Sequence, residues 1–234
     1  MAVILDTTSS GRSETAGTTL TVSHTCTGLD RILVAYVAHR DTPNSGNDPT
    51  GVTYNLIAMT LVSNTADGGQ VSGNWWYLIA PTTGANDIVA TWGETVDNRM
   101  IMAHSYTGAL QSGQVNASGG RQSSNEAAGT VRTVTLTQIV PSCMIVGAVC
   151  QTHNAAITSS PHILRISLMS GANLNGVTAD RIKTLVALDT LDWTRSSWEF
   201  DSTVMRNIAI SPSNYPSFKE NKLRPRIFAP GLAR

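Results

Sequence analysis

The fold is decided by TLTVSH (residues 19–24) followed by DRILVAYVAH (residues 30–39), a pair that returns about 110 residues later as TVTLTQ (133–138) and SCMIVGAVCQ (142–151). Each copy opens with threonines alternating with apolar residues, the two-residue period of a strand with one wet face. Each then crosses a turn into a nearly unbroken apolar run, as expected of a central strand. A second echo follows. Trp92 precedes RMIMAHSY (99–106) and Trp198 precedes MRNIAISP (205–212), at a separation close to that of the first pair. Two halves with corresponding strand order predict an all-β, jelly-roll-like antiparallel β-sandwich, closed from two pseudo-repeated units of four or five strands.

Composition fits this class. Thr, Ser, Asn and Gly are abundant and charged residues make up only 14% of the chain, which favours strands and turns over helices. Further strands read clearly at VTYNLIAMTLV (52–62), GNWWYLIA (73–80) and NDIVATW (86–92). The polar stretches at 41–51 and 116–130 read as loops, and the second is expected to join halves of about 1–115 and 130–218 within a single domain, 1–218. HILRISLMSG (162–171) admits a helical turn.

Sixteen Lys/Arg balance sixteen Asp/Glu, so the body carries no general attraction for nucleic acid. No membrane span is expected, and MAVILDTTSSGR lacks the positive region of a secretory signal, which points to synthesis in a cytoplasm. Three cysteines are too few and odd for a disulfide framework. Cys143 and Cys150 lie seven apart in one strand and must face opposite ways, which rules out an easy bridge between them; Cys26 could pair with either, and buried free thiols are the expected state. No spacing of Cys and His indicates zinc, and no cofactor is expected.

The charge balance hides a dipole. KENKLRPRIFAPGLAR (219–234) holds five of the sixteen cations and one acid, Glu220, so this stretch is net +4 and the remainder net −4. Pro225 and Pro230 exclude a helix or a central strand between them. The stretch therefore reads as an extended arm that binds a partner. Lys222, Arg224, Arg226 and Arg234 supply charge, and Leu223, Ile227 and Phe228 supply apolar anchors.

The series LDRILVAYVAHRD (29–41), GVTYN (51–55), WWYLIAPTTGANDIVATW (75–92) and MIMAHSYTG (100–108) resembles the β-sandwich modules of structural proteins in tailed bacteriophages and of some large bacterial surface proteins. RPRIFAPGLAR (224–234) resembles the short C-terminal arms of phage virion proteins. The resemblance covers roughly the first half of the chain and its end. It implies a virion component, such as a head-decoration, fibre or tail-associated protein, located in the virion after synthesis in the host cytoplasm. It further implies the major capsid or tail subunits as partners, a homo-oligomer that is a trimer by analogy, and no nucleic-acid, membrane or enzymatic role.

Candidate chemistry is sparse. Trp75 and Trp76 are adjacent on one strand and so face opposite ways; an outward ring would serve as a subunit interface or as a platform for a host glycan. That second use defines the alternative function, a carbohydrate-binding module of a host-recognition fibre. Glu94 and Glu199, each following a tryptophan, are the one acid pair with a pattern, and they read better as solvated loop acids than as a glycosidase pair. Asp41, Asn47 and Asp48 could offer oxygens to Ca²⁺ but serve equally as turn formers. His39 and His104 sit at apolar strand ends as core or edge histidines. No nucleophile elbow or phosphate loop is present in the sequence.

Overall fold

The computed structural model describes residues 2–42, 47–62, 70–112, 115–124, 131–136, 141–152, 156–160, 162–169, 173–183, 189–195 and 202–214. The first half contributes β1 (Ile4–Ser13), β2 (Gly17–Cys26), β3 (Ile32–Arg40), β4 (Pro49–Tyr54), β5 (Ile57–Ala58), β6 (Thr60–Leu61), β7 (Val71–Ile79), β8 (Gly84–Val96) and β9 (Asn98–Thr107). The second contributes β10 (Val115–Ser124), β11 (Val131–Leu136), β12 (Cys143–Gln151), β13 (Ile157–Ser160), β14 (Ile163–Leu168), β15 (Asn175–Lys183), β16 (Asp189–Arg195) and β17 (Ser202–Ile210).

These strands form four antiparallel sheets. The first half folds into β1-β9-β3-β7-β6 and β2-β8-β4-β5, the second into β10-β17-β12-β15-β14 and β11-β16-β13. With the two-residue β6 set aside, the first half runs first-eighth-third-sixth in one sheet and second-seventh-fourth-fifth in the other, the order of a jelly roll. The second half repeats that order with β14 in the place of β6, except that its smaller sheet, β11-β16-β13, has no counterpart of β5 among the described residues. The repeat extends to single rungs, since Val34 stands opposite His104 and Val146 opposite Ile208. One irregularity corresponds as well: the β1–β9 ladder slips between Leu5 and Thr7, and the β10–β17 ladder between Val115 and Ala117.

The all-β antiparallel sandwich expected from the sequence is what forms, with a difference of scale. Each half closes its own two-sheet sandwich around its own core. Leu33, Ala35, Val37, Trp76, Ile88 and Trp92 fill the first, and Cys143, Ile145, Val149, Val177 and Trp193 the second. The opposite faces of the same central strands then build a third core. There Ile32, Val34, Tyr36, Trp75 and Met100 meet Met144, Val146, Ala148 and Ile208, fixing the halves together along a seam. β3 and β12 are therefore covered on both faces, which is why they carry apolar residues without alternation. Cys143 faces the second core and Cys150 the seam, as their spacing requires, and all three cysteines are free.

Three segments differ from expectation. The supposed linker at 116–130 contains most of β10, which pairs with β17 along its whole length. An edge strand is held by its backbone ladder, so its polar side chains do not prevent it from forming. VTYNLIAMTLV is not one strand but parts of β4, β5 and β6, broken by a turn at Asn55 and Leu56, both with positive φ. The segment that admits a helical turn is strand β14, and no helix occurs among the described residues.

Candidate functional site

Polar contacts cross the seam inside an otherwise apolar core. Alternation along β9 sends His104 and Tyr106 towards β15, and alternation along β15 sends Thr178 and Asp180 back to meet them. His104 Nε2 lies 2.9 Å from Thr178 Oγ1, and the Tyr106 hydroxyl donates to Asp180 Oδ2 at 3.0 Å. Arg165 on β14 completes the group, its Nε donating to Asp180 Oδ1 at 2.7 Å. Tyr36 Oη and Cys150 Sγ approach to 3.3 Å.

Burial governs the chemistry of these groups. It pushes the His104 imidazole down to about 3, so the ring is neutral. It also raises the Tyr106 hydroxyl, and it raises Asp180 although Arg165 and Tyr106 pull that carboxyl the other way. His104, Tyr106, Thr178 and Asp180 are all closed to solvent. Such a cluster can set the register between two sheets but cannot meet a substrate.

A second cluster lies where β1 and β2 stack edge on edge. Ser9 Oγ is 2.8 Å from His24 Nδ1, the spacing of a nucleophile and its base. His24 is buried, and burial lowers it to about 4 against the opposing effect of Asp6. Asp6 is turned elsewhere, accepting hydrogen bonds from the Thr27 backbone and hydroxyl and from Ser105 Oγ. Burial raises the Asp6 carboxyl, but those hydrogen bonds outweigh it and hold the group below its ordinary range. The pair is thus a clamp between sheets, without the third group that would orient a base.

Trp75 and Trp76 point into different cores, the seam and the first sandwich, at 2% and 7% exposure. Neither is an open platform for a glycan or a partner, because the second half covers the face that a lone sandwich would leave bare. Glu94 is exposed on β8, while Glu199 lies outside the described residues. Asp41 accepts from Asn47 Nδ2 at 3.0 Å, and Asp48 accepts from Ser72 Oγ at 2.5 Å and Asn74 Nδ2 at 3.2 Å. Those carboxylates tie loops together, and the described residues contain no group of three or more side chains placed to hold a metal. His39 is buried beside Trp92, with 6.1 Å between ring centroids. The arm residues Lys222, Leu223, Arg224, Arg226, Ile227, Phe228 and Arg234 lie outside the described residues.

One open feature was missed in the sequence. Asn55 and Leu56 turn the β4–β5 hairpin with φ of 48° and 64°. A tight hairpin of this hand favours Asn-Gly, because a side chain at positive φ costs about 1–2 kcal/mol. Leucine nevertheless occupies the second position, 90% exposed. With Asn55, Ala85, Asn86, Asp87 and Val89 it lines a shallow groove of about 330 Å³. The Asp87 side chain is exposed and has no hydrogen-bond partner among the described residues. The available signal was Asn-Leu interrupting the alternation after V-T-Y.

No family model matches the chain, and no curated protein or solved structure matches it either.

Proposed function

We propose that the protein is a non-enzymatic structural component of a bacteriophage particle, a capsid-decoration or tail- or fibre-associated subunit that assembles through its β-sandwich body and docks with its C-terminal arm. The observation that carries this reading is the seam. One face of each five-stranded sheet is committed to the other half, so the two jelly rolls share a core and make a single block. The polar groups inside that block hold its layers in register and are closed to ligands. Jelly rolls recur in capsid and lectin domains. The phage-like motif series and RPRIFAPGLAR favour the virion, with major capsid or tail subunits as partners.

The alternative, a glycan-binding fibre module, loses its platform with the burial of Trp75 and Trp76. Selective binding on a glycan array would restore it.

Truncation after Phe218 tests the docking role. The shortened protein should melt like the full chain yet fail to join particles, as seen by electron microscopy of assembled material. Attachment of the full chain should weaken with salt, since exposed charges are screened over about 8 Å at physiological ionic strength. Normal incorporation of the truncated protein would overturn the reading.

A further inference from the structure

One end of the first sandwich gathers apolar side chains that the fold does not need there. Ile4, Leu29 and Leu56 are 57%, 75% and 90% exposed. Ile4 pairs with Thr107, the last residue of β9. The next residue, Gly108, donates its N–H to the Leu29 carbonyl at 3.3 Å. From Leu29 the surface continues through Arg31, whose Nε donates to the Pro81 carbonyl at 3.0 Å, to Thr82, whose hydroxyl accepts from Asn55 beside the Leu56 groove. Asp6, Asp30 and Asp87 lie along this path against one cation among the described residues, Arg31, which is already bonded to the Gly28 and Pro81 carbonyls.

The described chain ends on the same side. Ser213 donates its N–H to the Gly108 carbonyl at 2.8 Å, and Leu110 donates to the Ser211 carbonyl at 2.8 Å. Residues 215–234 follow, a length that spans up to about 65 Å when extended. They carry the net positive charge and the apolar anchors Leu223, Ile227 and Phe228 that this acidic, apolar end complements.

We propose that this end, with the Leu56–Asp87 groove at one edge of it, receives the C-terminal arm of a second copy of the chain. Root and receiver share one end, so two copies meeting end to end each present an arm to the other's groove. A single twofold axis then closes the assembly as a reciprocal dimer, whereas a head-to-tail fibre would need root and receiver at opposite ends. Leucine at a strained turn position is explained if its side chain is an anchor in that contact. The inference rests on the docking role of the arm and names its partner.

Sedimentation equilibrium on the full chain should give a dimer, and the chain ending at Phe218 should be monomeric. Leu56→Asn is the decisive variant, because asparagine tolerates positive φ. It should melt no lower than the wild type while weakening the dimer by about tenfold or more. Asp87→Lys should weaken the dimer and remove part of its salt dependence. When chains carrying Leu56→Cys are mixed with chains carrying Phe228→Cys, a disulfide should join the two. A monomeric or trimeric full chain would overturn the proposal. So would a dimer indifferent to Leu56→Asn, or an internal disulfide in the doubly substituted chain. If the isolated protein is monomeric but truncation still abolishes particle attachment, arm exchange fails and the docking function stands. If truncation removes the dimer but not attachment, the exchange stands and the docking function fails.

Discussion

The Tyr106 hydroxyl on β9 donates to Asp180 Oδ2 on β15 at 3.0 Å, joining the two jelly rolls through a buried carboxylate that Arg165 holds from the other side. A carboxylate in an apolar seam is costly unless each lone pair is matched. Its value lies in discrimination. Two faces lined with Val, Ile, Met and Ala could slide over one another at little cost, whereas a one-rung slip here would strand Asp180.

Tyr106→Phe removes one donor and leaves the packing intact. We expect a loss of about 1–3 kcal/mol in urea unfolding, the cost of an under-bonded buried acceptor. Asp180→Asn in the same background should recover part of it, since the neutral amide no longer needs charge compensation. Additive effects of the two substitutions would show that the contact does not couple the halves.

Val34 and Val146 occupy equivalent rungs in β3 and β12 and both face the seam with no exposure. Val34→Asp or Val146→Asp would bury a charge opposite the other half and should prevent soluble folding. A soluble V34D protein that melts cooperatively would mean that the seam is not needed for stability.

The buried histidines give stability a defined pH dependence. His104 is lowered to about 3 and His24 to about 4, from an ordinary value of 6.5. Their contribution is complete above 6.5 and is lost as pH falls towards the folded values, at up to about 1.4 kcal/mol per pH unit for each ring. Asp6, also lowered, adds to the loss in the carboxylate range. Asp180 is raised and works in the opposite direction, favouring the folded state as it becomes protonated. Urea midpoints should therefore fall between pH 6.5 and pH 4, and His104→Gln should flatten that slope. A midpoint constant over this range would refute the assignment.

The central strands were legible because burial on both faces leaves an unmistakable residue pattern, as in Ile32–Arg40, where every position but the last is buried. What covers the second face was not legible, since Val34 reads the same under its own half or under the other. That ambiguity also hid the fate of Trp75. β10 was unreadable because an edge strand needs only its backbone partners, and the Asn55–Leu56 turn because leucine stands where glycine is the signal. The seam cluster left one trace, the isolated acid Asp180 within a strand that is otherwise buried through its middle. Its partners lie on β9 and β14, and no local pattern in the sequence links them.

Two glycines at the seam separate rigid from yielding packing. A Cβ on Gly73 would strike the Tyr36 hydroxyl and ring carbon Cζ, and would come within 3.0 Å of Cys150 Sγ. A Cβ on Gly176 would strike the methyl ends of Met100 and Met102. The Tyr36 ring is fixed by Trp75, 5.2 Å away between centroids, and by its contact with Cys150, so it cannot move without opening the seam. Methionine tips can turn about three side-chain bonds into neighbouring space. Gly73→Ala should therefore cost about 1–3 kcal/mol, the range for an overpacked core, and Gly176→Ala clearly less. Melting curves of the two variants decide the matter, and equal losses would mean that the methionines are as confined as the tyrosine.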